Sequence, residues 1–224
     1  LRRTIRLVPQ FADAFTNLGI VFSLKKKHEE AEAAYSAAAR LKPDDLQSHL
    51  NMAICNMELR RPQAVATAIA RVEALAGQPA PDLLHQIGNI YRGIGRHLVA
   101  EDYYRRALEQ RPDAAEIWFA LGDVLAQAGD HGAALEALEQ ALTHGFDFSY
   151  VKLRLGRALA NRGDIAGAAG LLAEAYDAVG DDVVNLTKIA DEYTLIGDFE
   201  GQEKCLNRAL ELEPGNVAAF AGLV

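Results

Sequence analysis

The sequence predicts an all-α fold, a stack of antiparallel helix-turn-helix hairpins. Three observations carry that reading: evenly spaced prolines, a column of tiny residues, and short turn segments at a fixed period. Pro9, Pro43, Pro112 and Pro214 sit in similar settings, LVPQF, LKPDD, QRPDA and LEPGN, separated by 34, 69 and 102 residues. Those gaps are one unit of 34, two units plus one residue, and three units, the arithmetic of an internal repeat. A long coiled coil is excluded, because Gly or Pro interrupts the apolar pattern about every 15 residues and heptads are never sustained.

With each of these prolines at unit position 32, six complete units fall at 12–45, 46–80, 81–114, 115–148, 149–182 and 183–216. Position 7 then reads Leu18, Met52, Ile87, Leu121, Leu155 and Ile189, and position 8 reads Gly19, Ala53, Gly88, Gly122, Gly156 and Ala190. Every residue at position 8 is tiny. Large apolar residues dominate positions 4 (Phe15, Leu84, Trp118, Leu186) and 11 (Phe22, Tyr91, Leu125, Tyr193), so positions 4, 7, 8 and 11 form one face of a first helix. The second half of each unit repeats the device, with Tyr35, Tyr104, Leu138, Leu172 and Leu206 at position 24 and Ala38, Ala107, Ala141, Ala175 and Ala209 at position 27. Between the halves lie LKKKHEE, GIGRH, QAGDHG, NRGDIAG and LIGDFEG, polar or Gly-bearing turns suited to ending a helix. Helices approach closely where one presents Gly or Ala to a large partner side chain, so the tiny residues are expected to dock neighbouring units.

The second unit fits least well. His49 and Asn56 occupy large-apolar positions, Pro62 opens the second helix, and one extra residue near AGQPAP explains the gap of 69. Pro79 and Pro81 there point either to a change of superhelical pitch or to an insertion absorbed by a loop. At the ends, residues 1–11 read as the tail of a preceding repeat and 217–224 as the start of a further first helix. Neither end supplies a polar cap, which predicts a fragment of a longer array, or one feeding another domain, with ends open to self-association.

Composition narrows the function. The 224 residues are half apolar, enough for a substantial core, and the net charge of −8 argues against a general nucleic-acid binder. No apolar run approaches the roughly 18 residues that span a bilayer, and there is no signal-peptide pattern at the N-terminus. Membrane and nucleic acid are therefore not expected as partners. Cys55 and Cys205 are too few for a disulfide framework and fit a reducing, cytoplasmic setting. The histidines never fall in metal-binding spacing, so neither metal nor cofactor is expected. Nor does any nucleophile motif, phosphate loop or dinucleotide fingerprint occur. Carboxylate pairs such as Glu29–Glu30 and Asp181–Asp182 stand at helix starts, where the positive helix end accounts for them, and the chain is read as non-enzymatic.

The stretches WFALGDVL at 118–125 and FTNLGIVF at 15–22, followed by the alanine and tyrosine positions and the proline, resemble the tetratricopeptide repeat on its 34-residue period. The resemblance covers essentially the whole chain. It implies a right-handed α-solenoid superhelix whose concave groove, lined by first-helix positions 2, 5, 6, 9, 12 and 13, binds extended peptides or short helices of partner proteins. Carried over by position, the groove includes Asn17, Asn51, Gln86, Asn89 and Arg92, then Phe119 and Asp123, and finally Tyr150, Arg154, Arg157, Asn161 and Lys188. Asn17, Asn51 and Gln86 repeat an amide able to bond a peptide backbone without reading its sequence. Arg154 and Arg157, three residues apart, could converge on a carboxylate or phosphate of an acidic segment, with Phe119, Tyr150 and Leu153 as anchors, or could neutralise Asp123 and Asp191 within the array. The family's chaperone-tail clamp is not matched by any three consecutive units, since Ala120 and Tyr150 replace two of its polar residues. The sequence thus points to a non-catalytic protein-interaction module, with a substrate-recognition arm of a larger transferase as the alternative.

Overall fold

The computed structural model describes residues 11–146 and 148–223, and every regular element among them is an α-helix. The expected helix tail over 1–9 lies outside the described residues. Contacts divide the chain into two compact units, residues 1–110 and 111–224.

In the first unit, α1 (Ala12–Leu24) pairs with α2 (His28–Leu41), α3 (Leu46–Glu58) with α4 (Pro62–Ala76), and α5 (Pro81–Gly93) with α6 (His97–Gln110). The second unit pairs α7 (Ala115–Ala128) with α8 (His131–Thr143), α9 (Phe148–Asn161) with α10 (Ile165–Val179), and α11 (Val183–Ile196) with α12 (Phe199–Leu212), and ends in the short α13 (Val217–Ala221). Each is a hairpin of an all-α solenoid, and the apolar faces close on one another. In the second unit Leu172, Leu186, Ile189 and Leu206 are all but fully buried in one cluster. Each such side chain contributes about 1.5–3 kcal/mol.

The tiny residues act inside hairpins rather than between them. A Cβ built on Gly19 would lie 2.5 Å from the Tyr35 ring, and one on Gly88 would lie 2.5 Å from Tyr104. Gly122 stands against Leu138 in the same way, at 2.7 Å. Position 8 therefore meets position 24 of its own hairpin, which corrects the expectation that it docks neighbouring units.

In two repeats position 4 fixes the first helix to the loop that leads into it. Trp118 donates its indole N–H to the Pro112 carbonyl at 2.7 Å, and His49 Nε2 lies 3.1 Å from the Pro43 carbonyl. His49 thus performs at position 4 the polar task that Trp118 performs two repeats later. Asn56, at an apolar position, is 3% exposed and spends its amide on the Met52 carbonyl. At the junction with the extra residue, backbone approach is carried by α3 against α5. Gln110 reaches the Pro79 carbonyl, and Tyr91 stacks on Tyr103 at 5.5 Å. Burial, with Glu73 beside it, holds the Tyr103 hydroxyl above its ordinary range.

The hairpin turns share one backbone feature. Position 15 is left-handed in all six repeats: Lys26 (φ 56°), Arg60 (φ 55°), Gly95, Gly129, Gly163 and Gly197. Glycine takes that conformation without a Cβ penalty, whereas Lys26 and Arg60 are strained.

Candidate functional site

The first helices pack with only part of their surface, and the remainder carries the residues expected in a groove. In the second unit these residues come together. Phe119 on α7 stacks on Phe146 at 4.8 Å and meets Tyr150 of α9 at 5.2 Å, forming an aromatic ridge. The Tyr150 ring is flanked by two cations, the Arg154 guanidinium 5.5 Å from its centroid and the Lys188 ammonium of α11 at 5.7 Å. Tyr150, Leu153, Arg154, Arg157, Lys188 and Asp191 line a cleft of about 250 Å³ with Glu192.

The two arginines do not converge. Arg154 Nε lies 3.4 Å from Asp123, which is 8% exposed and also accepts from Gln127 at 2.8 Å. Arg157 forks onto Glu192, donating from Nε at 2.8 Å and from an NH2 group at 2.6 Å. Each arginine therefore carries its own carboxylate, and both pairs join consecutive first helices. An incoming carboxylate would have to displace Glu192 from a site where it is 8% exposed, leaving that charge buried. Lys188 is placed differently, exposed and 3.4 Å from the Asn185 amide oxygen. Beyond Arg157, Asn161 borders a second cleft of about 400 Å³ walled by Gly156, Ile165, Leu172 and Leu195.

The first unit presents a more neutral face. Asn17 and Gln86 are exposed, Asn51 accepts from Gln47 at 3.0 Å, and Asn89 accepts from the Tyr104 hydroxyl at 2.8 Å. Arg92 is half-buried beside them, and Ile20 and Ile54 are exposed on neighbouring first helices. This surface offers amides and aliphatic contact without a concentrated charge.

Glu192 is the residue that reading by position missed. It sits at position 10, outside the expected groove set, and its signal is the pairing of position 9 with position 10 of the next repeat. Lys152, at the apolar position 4, is another: it is 4% exposed and paired with Glu174. Among the described residues no group of three or more His, Cys, Asp or Glu side chains is placed to hold a metal ion. Nor is any helix there long and apolar enough to cross a membrane. Burial pushes both thiols up, Cys205 to about 12.

Comparison with known proteins agrees with the hairpin geometry. The tetratricopeptide repeat matches residues 1–46 and 85–150, and a second form of the same repeat matches 185–216. No curated protein matches the sequence. Among solved structures, PilW, a type IV pilus biogenesis factor, is similar with a TM-score of 0.72 at 15% identity, covering 95% of this chain and 98% of its own. Pseudomonas aeruginosa PilF has a TM-score of 0.65 at 17% identity, covering 94% of this chain and 95% of its own. The Cut9–Hcn1 hetero-tetramer of APC/C gives 0.65 at 17% identity over 99% of this chain, which spans 44% of that one. At these identities the likeness is one of fold.

Proposed function

The chain belongs to the tetratricopeptide repeat family, and we propose that it is a non-catalytic interaction module whose first-helix faces bind a segment of a partner protein. The observation that carries this is the aromatic ridge of Phe119 and Tyr150, set between Arg154 and Lys188 on a face that packing leaves open. A solvated face needs no such arrangement, whereas an aromatic residue beside an acidic one on a partner would use all of it. Asn17, Asn51 and Gln86 supply sequence-independent contacts to an extended backbone.

The acidic character of the segment rests on Lys188 rather than on the arginine pair. Arg154 orients Tyr150, and Arg157 with Glu192 forms the fixed wall of the cleft. The assembly in which the Cut9–Hcn1 relative was solved supports a protein partner in general. Two buried free cysteines support a cytoplasmic setting.

The test is a peptide array in which one aromatic residue is paired with one acidic residue at every short spacing, probed with the whole chain. Peptides with the two residues close together are expected to bind, and Tyr150→Ala or Lys188→Glu to abolish that binding while helicity stays unchanged. Equal binding by those variants would reject this face as the site.

A further inference from the structure

One edge of each compact unit is made by the turns that join the two helices of a hairpin, and the two edges carry opposite charge. The residue before the second helix is Lys27, Arg61 and Arg96 in the first three repeats, and Asp130, Asp164 and Asp198 in the last three. The aspartates are spent well, each accepting a backbone N–H, from Ala133 at 3.0 Å, Gly167 at 2.9 Å and Gly201 at 2.9 Å. Lys27 and Arg61 make no such bond, and no lysine or arginine side chain has an acceptor with which to do so. A cation there also opposes the positive end of the helix.

The strain compounds at the preceding position. Lys26 and Arg60 take the left-handed conformation that the other four repeats give to glycine. Two repeats thus forgo both local stabilisers at the same place, and they do so with cations, while the third keeps Gly95 and places Arg96 where the last three repeats have aspartate. Lys25, Lys26, Lys27, Arg60, Arg61 and Arg96 are all exposed, with Glu29 and Glu30 the nearby carboxylates, bonded to Arg61 at 3.0 Å and Lys27 at 3.4 Å. Where several sequence levels break a local rule together, a surface role is the physical reason to look for.

The same edges are also greasy. Leu24 is 80% exposed beside Lys25, and Leu98 76% exposed beside Arg96. On the acidic edge Leu195, Phe199 and Ile165 are exposed beside Asp164 and Asp198, with Glu200 adding charge and Arg162 opposing it. The cations recur after 34 and 35 residues and the aspartates after 34 and 34, so cation would meet carboxylate and apolar side chain would meet apolar side chain repeat by repeat.

We propose that the basic turn edge of repeats 1–3 docks the acidic turn edge of repeats 4–6 of a second copy of this chain. The occupant follows from complementarity, since this chain itself supplies an acidic edge with one aspartate per repeat against one cation per repeat. The units differ in bulk charge in the same sense: residues 1–110 hold 15 Lys and Arg against 12 Asp and Glu, a net of +3, and residues 111–224 hold 8 against 19, a net of −11. The contact is distinct from the first-helix face and stands whether or not a peptide binds there. Exposed pairs of this kind are screened by salt, so the association weakens as ionic strength rises.

The test is sedimentation velocity of the whole chain across a concentration series at low and high salt. Wild type is expected to self-associate at low salt, with the association constant falling about tenfold or more at high salt. The variant Lys27→Asp/Arg61→Asp/Arg96→Asp gains caps and is expected to melt at higher temperature yet sediment as a monomer. Asp130→Asn/Asp164→Asn/Asp198→Asn keeps capping residues, loses the charge, and is also expected to be monomeric. Mixed, the two variants each retain one intact edge and are expected to associate. Wild type monomeric throughout, variants that associate like wild type, or a mixture that stays monomeric would each overturn the proposal. A monomeric wild type that pellets with phosphatidylserine vesicles but not with phosphatidylcholine vesicles would overturn it in favour of an anionic lipid surface.

Discussion

In residues 1–110 the helix after each turn begins behind Lys27, Arg61 or Arg96, while in residues 111–224 it begins behind Asp130, Asp164 or Asp198. The hairpin is otherwise the same, with a left-handed residue at position 15 and a small residue against a large one across the pair. The difference teaches that the turn is not needed to specify the fold. Burial of the two apolar faces outweighs a missing cap, which costs about 1 kcal/mol, and leaves the turn free to carry charge.

The interior contact varies along the chain as well, Gly156 being the roomy one, and it gives the largest expected effect. Gly88 faces the Tyr104 ring so closely that an added Cβ would lie 2.5 Å away, whereas on Gly156 it would lie 3.4 Å from Leu172. Gly88→Ala should lose about 1–3 kcal/mol in denaturant unfolding. Gly156→Ala should be neutral or gain up to about 1 kcal/mol through helix propensity. Equal losses at both sites would mean that the hairpins share one interior geometry.

Next come the caps. Asp130→Ala, Asp164→Ala and Asp198→Ala should each cost about 1 kcal/mol, while Lys27→Asp, Arg61→Asp and Arg96→Asp should each gain up to about that much, least at Lys27 where Glu29 and Glu30 stand nearby. Thermal melts of the six single variants check the signs, and a loss from the three aspartate additions would break the comparison. At the neighbouring position, Lys26→Gly and Arg60→Gly should each gain about 0.5–1 kcal/mol by relieving the left-handed strain.

Much of this was legible in the sequence. Period, hairpins, core positions and the placement of Phe119 and Tyr150 on neighbouring first helices follow from residue type and spacing, because helix packing imposes a strict periodicity. The fate of Arg157 was not legible. Whether its fork faces a partner or Glu192 depends on the rotation of one helix against the next, which a 34-residue period leaves open. The role of the tiny residues was half legible: their need for close approach is written in their size, but not which helix approaches. The cation-to-aspartate exchange at position 16 is visible in LKKKHEE and QAGDHG, yet its meaning needs the observed caps and backbone angles.

The smallest expected effect concerns pH. Burial raises the Cys205 thiol to about 12, so the folded state holds that proton more tightly than the unfolded chain does. Its contribution is complete below the ordinary thiol range of about 8.5 and is lost as pH rises toward 12. Cys205→Ala should flatten the alkaline limb of a stability profile, and an unchanged limb would assign the loss to other groups such as Tyr193, which burial also raises to about 12.

The central claim is that the first-helix face receives the partner, and hydrogen exchange tests it most directly. The whole chain is compared with and without a peptide selected from the aromatic–acidic array. The account predicts slowed exchange in α9 around Tyr150 to Arg157 and in α11 around Lys188, with α8, α10 and α12 unchanged. Protection centred on those second helices instead would contradict it.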